Sequence, residues 1–235
     1  MLHPVVETVT YGAAYVRLLL SHLTSERGRD MPRLKTHTDR VVLNLPGFFG
    51  PRAVMRPLEW RFERAGIPAF SFNLGLTAAL PIPVIVKLLR RRIERVRDRF
   101  PYLRRMDIVA HSMGGLIAQA ALMAGVFDGF EEVRLVTLGS PFSGTWAALM
   151  ACLLPGAAEM LPIHPHIRKR HHVQRRNGTG PRVPFLSIAG EHDLLAPPER
   201  CQHPAAEYKL LPVDHAGLIF RKDVFNEALA FLARP

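Results

Sequence analysis

A serine in a short run of small residues is the most informative feature of this sequence. Ala110-His111-Ser112-Met113-Gly114 stands between a short apolar run and a helical pattern of apolar residues. A serine at a sharp strand-to-helix turn is exposed at the carboxyl end of its strand, where it can act as a nucleophile. The start of the following helix adds unpaired backbone N–H groups and the positive end of the helix dipole. The pattern therefore predicts that Ser112 is a nucleophile.

The residues on either side of Ser112 carry a resemblance to a known family. A tight turn brings the helix against the strand, so the flanking positions must be small; Ala110 stands where the first glycine is usual. The chain resembles the α/β-hydrolases, and its Ala-His-Ser-Met-Gly sequence is similar to that of small bacterial lipases, in which the same alanine occurs. The resemblance runs from Val41 to the C-terminus. Residues 1–40 and about 143–183 lack a clear counterpart.

This resemblance implies an acid and a base further along the chain. Gly190-Glu191-His192-Asp193 is similar to the family's acid loop, which implies Asp193 as the acid, with Glu191 as the alternative. His215 follows the last strand pattern, where the family has its catalytic histidine, and the order Ser112, Asp193, His215 is the family order. The acid would hold the imidazole and stabilise the imidazolium. His111 and His192 are expected to point away from the serine.

Two further stretches are similar to loops of the family that surround the substrate. Leu45-Pro46-Gly47-Phe48 matches the oxyanion loop, with Pro46 where histidine is usual, which implies oxyanion donors in the backbone N–H groups of Phe48 and Met113. Leu138-Gly139-Ser140-Pro141-Phe142 is similar to a wall of the acyl site. Apolar side chains are expected to bind the substrate, namely Phe48, Phe49, Phe142, Trp146 and Leu149.

Strand and helix patterns that can position these residues alternate along the chain. Short apolar runs predict strands at 41–45, 67–72, 107–110, 133–138, 185–189 and 208–213. Apolar residues at three- and four-residue steps predict helices at 52–65, 84–100, 114–124 and 223–232. Alternation of this kind favours an α/β fold, with a mostly parallel central sheet and helices on both faces. A single α/β-hydrolase domain over 41–235 is therefore expected.

Two segments lie outside this alternation. Val5–Leu23 has an amphipathic helical pattern and leads into a polar linker that ends near residue 40; the helix either packs on the domain or lies on a membrane. The insertion at about 143–183 is apolar in its first half and rich in Arg, Lys and His in its second. Insertions of this length are commonly lids or binding elements, although a surface helix with a basic loop fits equally well.

Composition excludes several classes of protein and partner. The net charge of +11 favours anionic surfaces such as lipid head groups, but no nucleic-acid-binding module accompanies it, so no nucleic-acid partner is expected. The 2 cysteines make neither a disulfide framework nor a zinc site, and the histidines of the insertion lack neighbouring carboxylates, so neither a metal nor a cofactor is expected. No signal peptide or membrane span is visible, which predicts a cytoplasmic protein with a potential for peripheral membrane contact.

Together these features predict a serine hydrolase of carboxylic esters. The apolar residues expected around Ser112 favour lipid-like esters, cleaved through an acyl-enzyme intermediate. Two alternatives stay open at this point. The same residues support thioester hydrolysis or acyl transfer, and a membrane-surface binding protein could be built on the same scaffold.

Overall fold

One parallel sheet organises the chain. The computed structural model describes residues 4–21, 38–165, 167 and 183–234, and six strands in these ranges pair in the order β2-β1-β3-β4-β5-β6. All five pairings are parallel, as predicted. The strands are Arg40–Leu45 (β1), Ala69–Ser71 (β2), Arg105–His111 (β3), Glu132–Leu138 (β4), Phe185–Gly190 (β5) and Glu207–Leu211 (β6).

Helices are present where the sequence predicts them at 52–65, 84–100, 114–124 and 223–232, with ends that differ by one or two residues, whereas the short helices at 155–158 and 217–220 were not predicted. The helices of the described ranges are given in chain order. They are Pro4–Ser21 (α1), Arg52–Arg64 (α2), Ile82–Arg99 (α3), Met113–Met123 (α4), Pro155–Ala158 (α5), Gly217–Phe220 (α6) and Lys222–Leu232 (α7). Short 3₁₀ turns cover Gly75–Ala79, Trp146–Ala151 and Pro198–Arg200. Within the described ranges, no helix combines the length and the apolar composition needed to cross a bilayer.

Strands β1 to β5 are largely buried, as expected for an α/β arrangement, whereas the edge strand β6 is partly exposed. In β1, Leu43 belongs to the core on the side of α3 and α4, whereas Val42 belongs to the core on the side of α2 and α7. Successive residues of a strand point to opposite faces, so a mostly apolar run serves both cores. Burial of β3 and β5, together with the pairing of β6 to β5, holds the carboxyl ends of these strands, where the candidate site lies, in a fixed register.

The start of α3 differs from its prediction. The sequence places Pro81 and Pro83 in a loop before a helix at 84–100, but α3 begins at Ile82, with Pro83 in its first turn. Proline is well accommodated there because the first N–H groups of a helix have no intrahelical acceptor. The side chain of Glu159 accepts a hydrogen bond from the N–H of Ile82 at 2.9 Å, which ties the insertion to this helix.

Candidate active site

Ser112 occupies a strained turn between β3 and α4. Its φ of 53° and ψ of −125° lie in a region that residues other than glycine rarely adopt. The turn is compact: a Cβ added at Gly114 would lie 2.5 Å from the carbonyl oxygen of Leu45, so only glycine fits two residues after the serine. Such strain costs on the order of 1–3 kcal/mol and is typical of functional sites. The fold therefore holds Ser112 at the edge of the sheet at a cost in stability.

His215 and Asp193 form a short hydrogen bond beside Ser112. Nδ1–H of His215 donates to Oδ2 of Asp193 at 2.6 Å, and the other carboxylate oxygen accepts the N–H groups of Leu195 at 2.9 Å and Ala196 at 2.7 Å. Ser112 and His215 line the same cavity. Among the described residues no hydrogen bond joins the serine hydroxyl to the imidazole, and such bonds are often long before substrate binds.

The surroundings of the two acidic residues of this loop differ. Asp193 is 2% exposed and bonded to His215, whereas Glu191 is exposed at the surface. A carboxylate with three N–H partners and no contact with water is fixed in orientation. The geometry thus favours Asp193 over Glu191 as the partner of the imidazole.

Gly139 allows the Asp193–His215 pair to form, a role that sequence reasoning missed. It has a φ of +57°, and a Cβ at this position would lie 2.8 Å from Oδ2 of Asp193 and 3.2 Å from Nδ1 of His215. Any side chain would therefore push into the hydrogen bond that joins acid and base. The signal in the sequence was a Gly-Ser-Pro turn at the end of a strand, which does not show what the glycine approaches.

His111 lies directly beneath the candidate base. Its ring is fully buried, 4.4 Å from the ring of His215, and its Nε2–H donates to the backbone carbonyl of His215 at 3.0 Å. Burial lowers the pKa of His111 well below its ordinary value, and the charge of His215 lowers it further. His111 is therefore a neutral support for the loop that carries His215, and it does not face the cavity, as the sequence predicted.

The buried neutral His111 should make stability depend on pH. The unfolded chain takes up a proton at this residue below about pH 6.5, whereas the folded protein does not. The free energy of unfolding should therefore fall as the pH falls, with His111 contributing up to about 1.4 kcal/mol per pH unit. His111→Gln, which keeps an N–H donor without a titrating group, should lose that contribution.

Urea unfolding at about pH 7.5 and at about pH 5.5 measures this difference. His192→Gln, the same replacement at an exposed histidine, is measured beside it as the matched control. An identical pH dependence for the wild type and for His111→Gln would show that His111 is protonated in the folded protein.

The two backbone N–H groups expected to donate to an oxyanion belong to residues near Ser112. Met113 is the first residue of α4, so its N–H has no intrahelical acceptor. Phe48 lines the cavity together with Ser112, and the preceding Gly47 approaches so closely that a Cβ there would lie 2.9 Å from Cβ of Ser112. Neither N–H donates to another described backbone group. Both N–H groups are therefore without a backbone acceptor among the described residues.

A cavity of about 520 Å³ opens in front of Ser112 and His215. This volume is in the range of sites for small organic ligands. The insertion supplies much of the wall, the acid loop supplies Leu194 and Leu195, and α1 supplies a third part. The residues that the insertion contributes are Thr145, Ala147, Ala148, Met150, Ala151, Ala157 and Met160. The walls are mostly apolar, and the polar groups gather around the serine.

Several residues expected at the substrate are not in the cavity lining. Phe142 is 4% exposed, with its ring 5.7 Å from that of Phe185 and 5.0 Å from that of His203, so it belongs to the core. Phe49 lies against Phe48 at 4.4 Å, and Trp146 and Leu149 are half exposed, but none of the three lines the cavity. Of the predicted set, Phe48 alone lines the cavity.

His192 also differs from its expectation. It lines the cavity together with Ser112, whereas the sequence placed it outside the site. The tight turn after β5, in which the N–H of Asp193 bonds to the carbonyl of Gly190 at 3.2 Å, leaves residue 192 exposed at the cavity mouth. The turn geometry, which residue types alone do not reveal, causes the difference.

The structure offers no metal site in the part that it describes. No group of three His, Cys, Asp or Glu side chains there could hold an ion. His166, His171 and His172 of the insertion lie outside the described residues, as does the basic segment 168–176.

Comparisons with known proteins identify the fold. No protein-family model and no curated protein matches the sequence. Among solved structures, an esterase from Pyrococcus furiosus has a TM-score of 0.60 at 16% identity, over 83% of this chain and 81% of that chain. Lipase B from Aspergillus fumigatus has a TM-score of 0.64 at 15% identity, over 81% of this chain and 51% of the lipase. This chain therefore spans about half of that enzyme.

A thioesterase domain from the curacin biosynthetic pathway is also similar, with a TM-score of 0.53 at 15% identity, over 85% of this chain and 93% of the domain. Together the neighbours show that the chain has the α/β-hydrolase fold, as the resemblance implied. At these identities the likeness concerns the fold alone.

Proposed function

We propose that the protein is a serine hydrolase of carboxylic esters. The observation that carries the proposal is the juxtaposition of a strained, cavity-facing Ser112 with a His215–Asp193 pair joined at 2.6 Å. A serine hydroxyl is a weak nucleophile until a base removes its proton, and an oriented imidazole is the usual base. Esterases and lipases among the structural neighbours support the same reaction class.

The proposed reaction begins with addition of Ser112 to the ester. Nε2 of His215 takes the hydroxyl proton while Oγ bonds to the carbonyl carbon, and the carbonyl π electrons move to oxygen. The N–H groups of Phe48 and Met113 donate to this oxyanion, each contributing roughly 3 kcal/mol of transition-state stabilisation. The intermediate collapses, the bond to the alcohol oxygen breaks, and His215 returns its proton to the leaving alkoxide.

Water then completes the cycle. His215 removes a proton from water as its oxygen attacks the acyl-serine, and the proton passes back to Oγ when the carboxylic acid leaves. Asp193 accepts from Nδ1–H throughout, so Nε2 always faces the substrate and the imidazolium formed in each half-reaction is stabilised.

An apolar acyl group fits the cavity walls best. The lining is formed largely by Ala, Val, Leu, Met and Phe side chains. Each buried CH₂ contributes about 0.8 kcal/mol, so a longer alkyl chain should bind more tightly until the cavity is filled. We expect kcat/KM for nitrophenyl esters to rise from acetate to octanoate. A steady fall from acetate onward would contradict the lipid-like substrate class.

Thioester hydrolysis or acyl transfer is the second candidate. Similarity to a thioesterase domain favours it, and the same groups would act on either carbonyl. Octanoyl-coenzyme A compared with the octanoate ester, each with and without an acceptor alcohol, separates the candidates. Ester hydrolysis predicts the higher kcat/KM for the oxygen ester, and no new ester formed from the acceptor.

The mouth of the cavity supports peripheral contact with an anionic membrane. Met150 and Leu194, which line the cavity, are 91% and 89% exposed, and Leu153 of the insertion is 95% exposed. The basic segment 168–176 belongs to the same insertion as Met150 and Leu153. Apolar side chains beside basic residues are typical of interfacial elements, and each basic residue near such a surface contributes about 1 kcal/mol. We expect the protein to bind vesicles that contain phosphatidylglycerol, and salt to weaken this binding.

Changing the basic residues of the segment to Gln should abolish most of this binding, as measured by vesicle co-sedimentation; they are Arg168, Lys169, Arg170, Arg175 and Arg176. The matched control removes the same number of exposed basic residues from α3, namely Lys87, Arg91, Arg95, Arg97 and Arg99, and should bind nearly as the wild type does. Equal binding by the two variants would show that only net charge matters. Absence of binding by the wild type would exclude membrane contact.

A further inference from the structure

Helix α1 forms part of the wall of the cavity although it lies outside the sheet. Gly12, Tyr15 and Val16 line the same cavity as Ser112 and His215. None of them belongs to a motif that resembles a known family, and the amphipathic pattern of the helix does not show which surface it covers. The position of α1 therefore raises the question of what it contributes to the site.

One row of side chains fixes α1 to the rest of the protein. The ring of Tyr11 stacks on that of Phe220 in α6, with centroids 5.8 Å apart and planes 7° from parallel. Tyr15 lies 6.2 Å from the ring of His111, and burial raises the pKa of its hydroxyl to about 12. Leu18 packs against the core on the same side of the sheet. Spacings of four and three residues put these side chains on one face of the helix.

The adjacent row faces the cavity. Gly12 and Val16 are four residues apart, so they share a face of the helix beside the anchoring row. Val16 is half exposed, and a Cβ added at Gly12 would meet no heavy atom within 4 Å. A glycine inside a helix costs about 1 kcal/mol relative to alanine, so local structure does not favour it here. Gly12 instead leaves open space on the cavity wall.

We propose that α1 determines which acyl chains the site accepts, with Gly12 providing room for a long alkyl chain. The inference rests on the proposed ester hydrolysis. An alkyl chain that passes Gly12 would also contact Val16 and Met150, which line the same cavity, and would replace water along this wall. A larger residue at position 12 would fill that space without disturbing the anchoring contacts of Tyr11 and Tyr15.

The test compares Gly12→Leu with Gly12→Ala and with Ala13→Leu. Alanine and leucine both favour helices, so the alanine variant controls for helix propensity, and Ala13 is exposed and does not line the cavity. We expect Gly12→Leu to lower the ratio of kcat/KM for nitrophenyl palmitate to that for the acetate about tenfold or more. Gly12→Ala should lower this ratio less, and Ala13→Leu should leave it unchanged. A wild-type ratio in Gly12→Leu would overturn the proposal, whether neither ester is affected or kcat/KM falls equally for both.

A binding measurement separates this proposal from the reaction itself. A dansyl-labelled undecanoic acid is titrated into Ser112→Ala and into the double variant Ser112→Ala, Gly12→Leu. This measurement of binding does not depend on turnover. Weaker binding by the double variant would support the proposed role of Gly12 in binding the alkyl chain, even if the wild type cleaves no ester. Equal binding by the two variants would overturn the proposal that Gly12 provides room for the alkyl chain. An inactive wild type, combined with weaker binding by the double variant, would overturn only the proposed ester hydrolysis.

Discussion

Ser112→Ala should lower kcat for a nitrophenyl ester by about ten thousand- to a million-fold, because the nucleophile, base and acid act as a unit. The expected oxyanion donors and the cavity would remain. The residual activity should therefore be a slow reaction in which water replaces the serine. The measurement is the initial rate at saturating octanoate ester, with enzyme concentrations high enough to detect the residual turnover.

The stability of this variant is its control. The strained backbone at position 112 persists with alanine, and the hydroxyl makes no hydrogen bond among the described residues, so the unfolding temperature should stay close to that of the wild type. Activity within tenfold of the wild type, in a folded protein, would remove Ser112 from the reaction.

Asp193→Asn should lower kcat by about ten thousand-fold, because an amide that donates to Nδ1 favours the tautomer with its proton on Nε2. That tautomer cannot accept the serine proton. The amide nitrogen would also replace a carboxylate oxygen that accepts from His215 or from the N–H groups of Leu195 and Ala196. The pH dependence of kcat should change as well, since the imidazolium loses its negative partner.

Glu191→Gln is the matched control for this change. Both substitutions replace a carboxylate by an amide in the same loop, but Glu191 is exposed and makes no contact with His215. Its kcat should stay within about twofold of the wild type, as for most surface substitutions. A large loss of kcat in Glu191→Gln, with only a mild loss in Asp193→Asn, would show that Glu191 and not Asp193 is the acid that supports His215.

The sequence was sufficient for most of the sheet because strands β1 to β5 are largely buried. Runs such as Val41–Leu45 are mostly apolar, with Asn44 as the exception, and each is followed by a turn, so the pattern marks a strand without knowledge of its neighbours. The sharp strand-to-helix turn at Ser112 could also be predicted from the sequence, because the requirement for small residues beside the serine is local. The resemblance added the acid and base loops, whose side chains the structure brings together.

The parts that sequence reasoning missed depend on contacts between distant segments. Nothing near Gly12 in the chain shows that α1 borders the cavity, because its partners are Phe220 and His111. Phe142 was expected in the acyl site from its place in a motif, but the rings of Phe185 and His203 draw it into the core. Apolar side chains suit a core and a substrate site equally well, so residue type alone does not separate the two.

Labelling with an alkyl fluorophosphonate tests the central claim most directly. The probe reacts with a serine that a neighbouring base has activated, and a digest analysed by mass spectrometry identifies the modified residue. The proposed site predicts a single adduct on Ser112, formed rapidly in the wild type and at a greatly reduced rate in His215→Ala. An unmodified wild type, or an adduct on Ser112 that forms equally fast in His215→Ala, would contradict the account and favour a binding protein on a hydrolase scaffold.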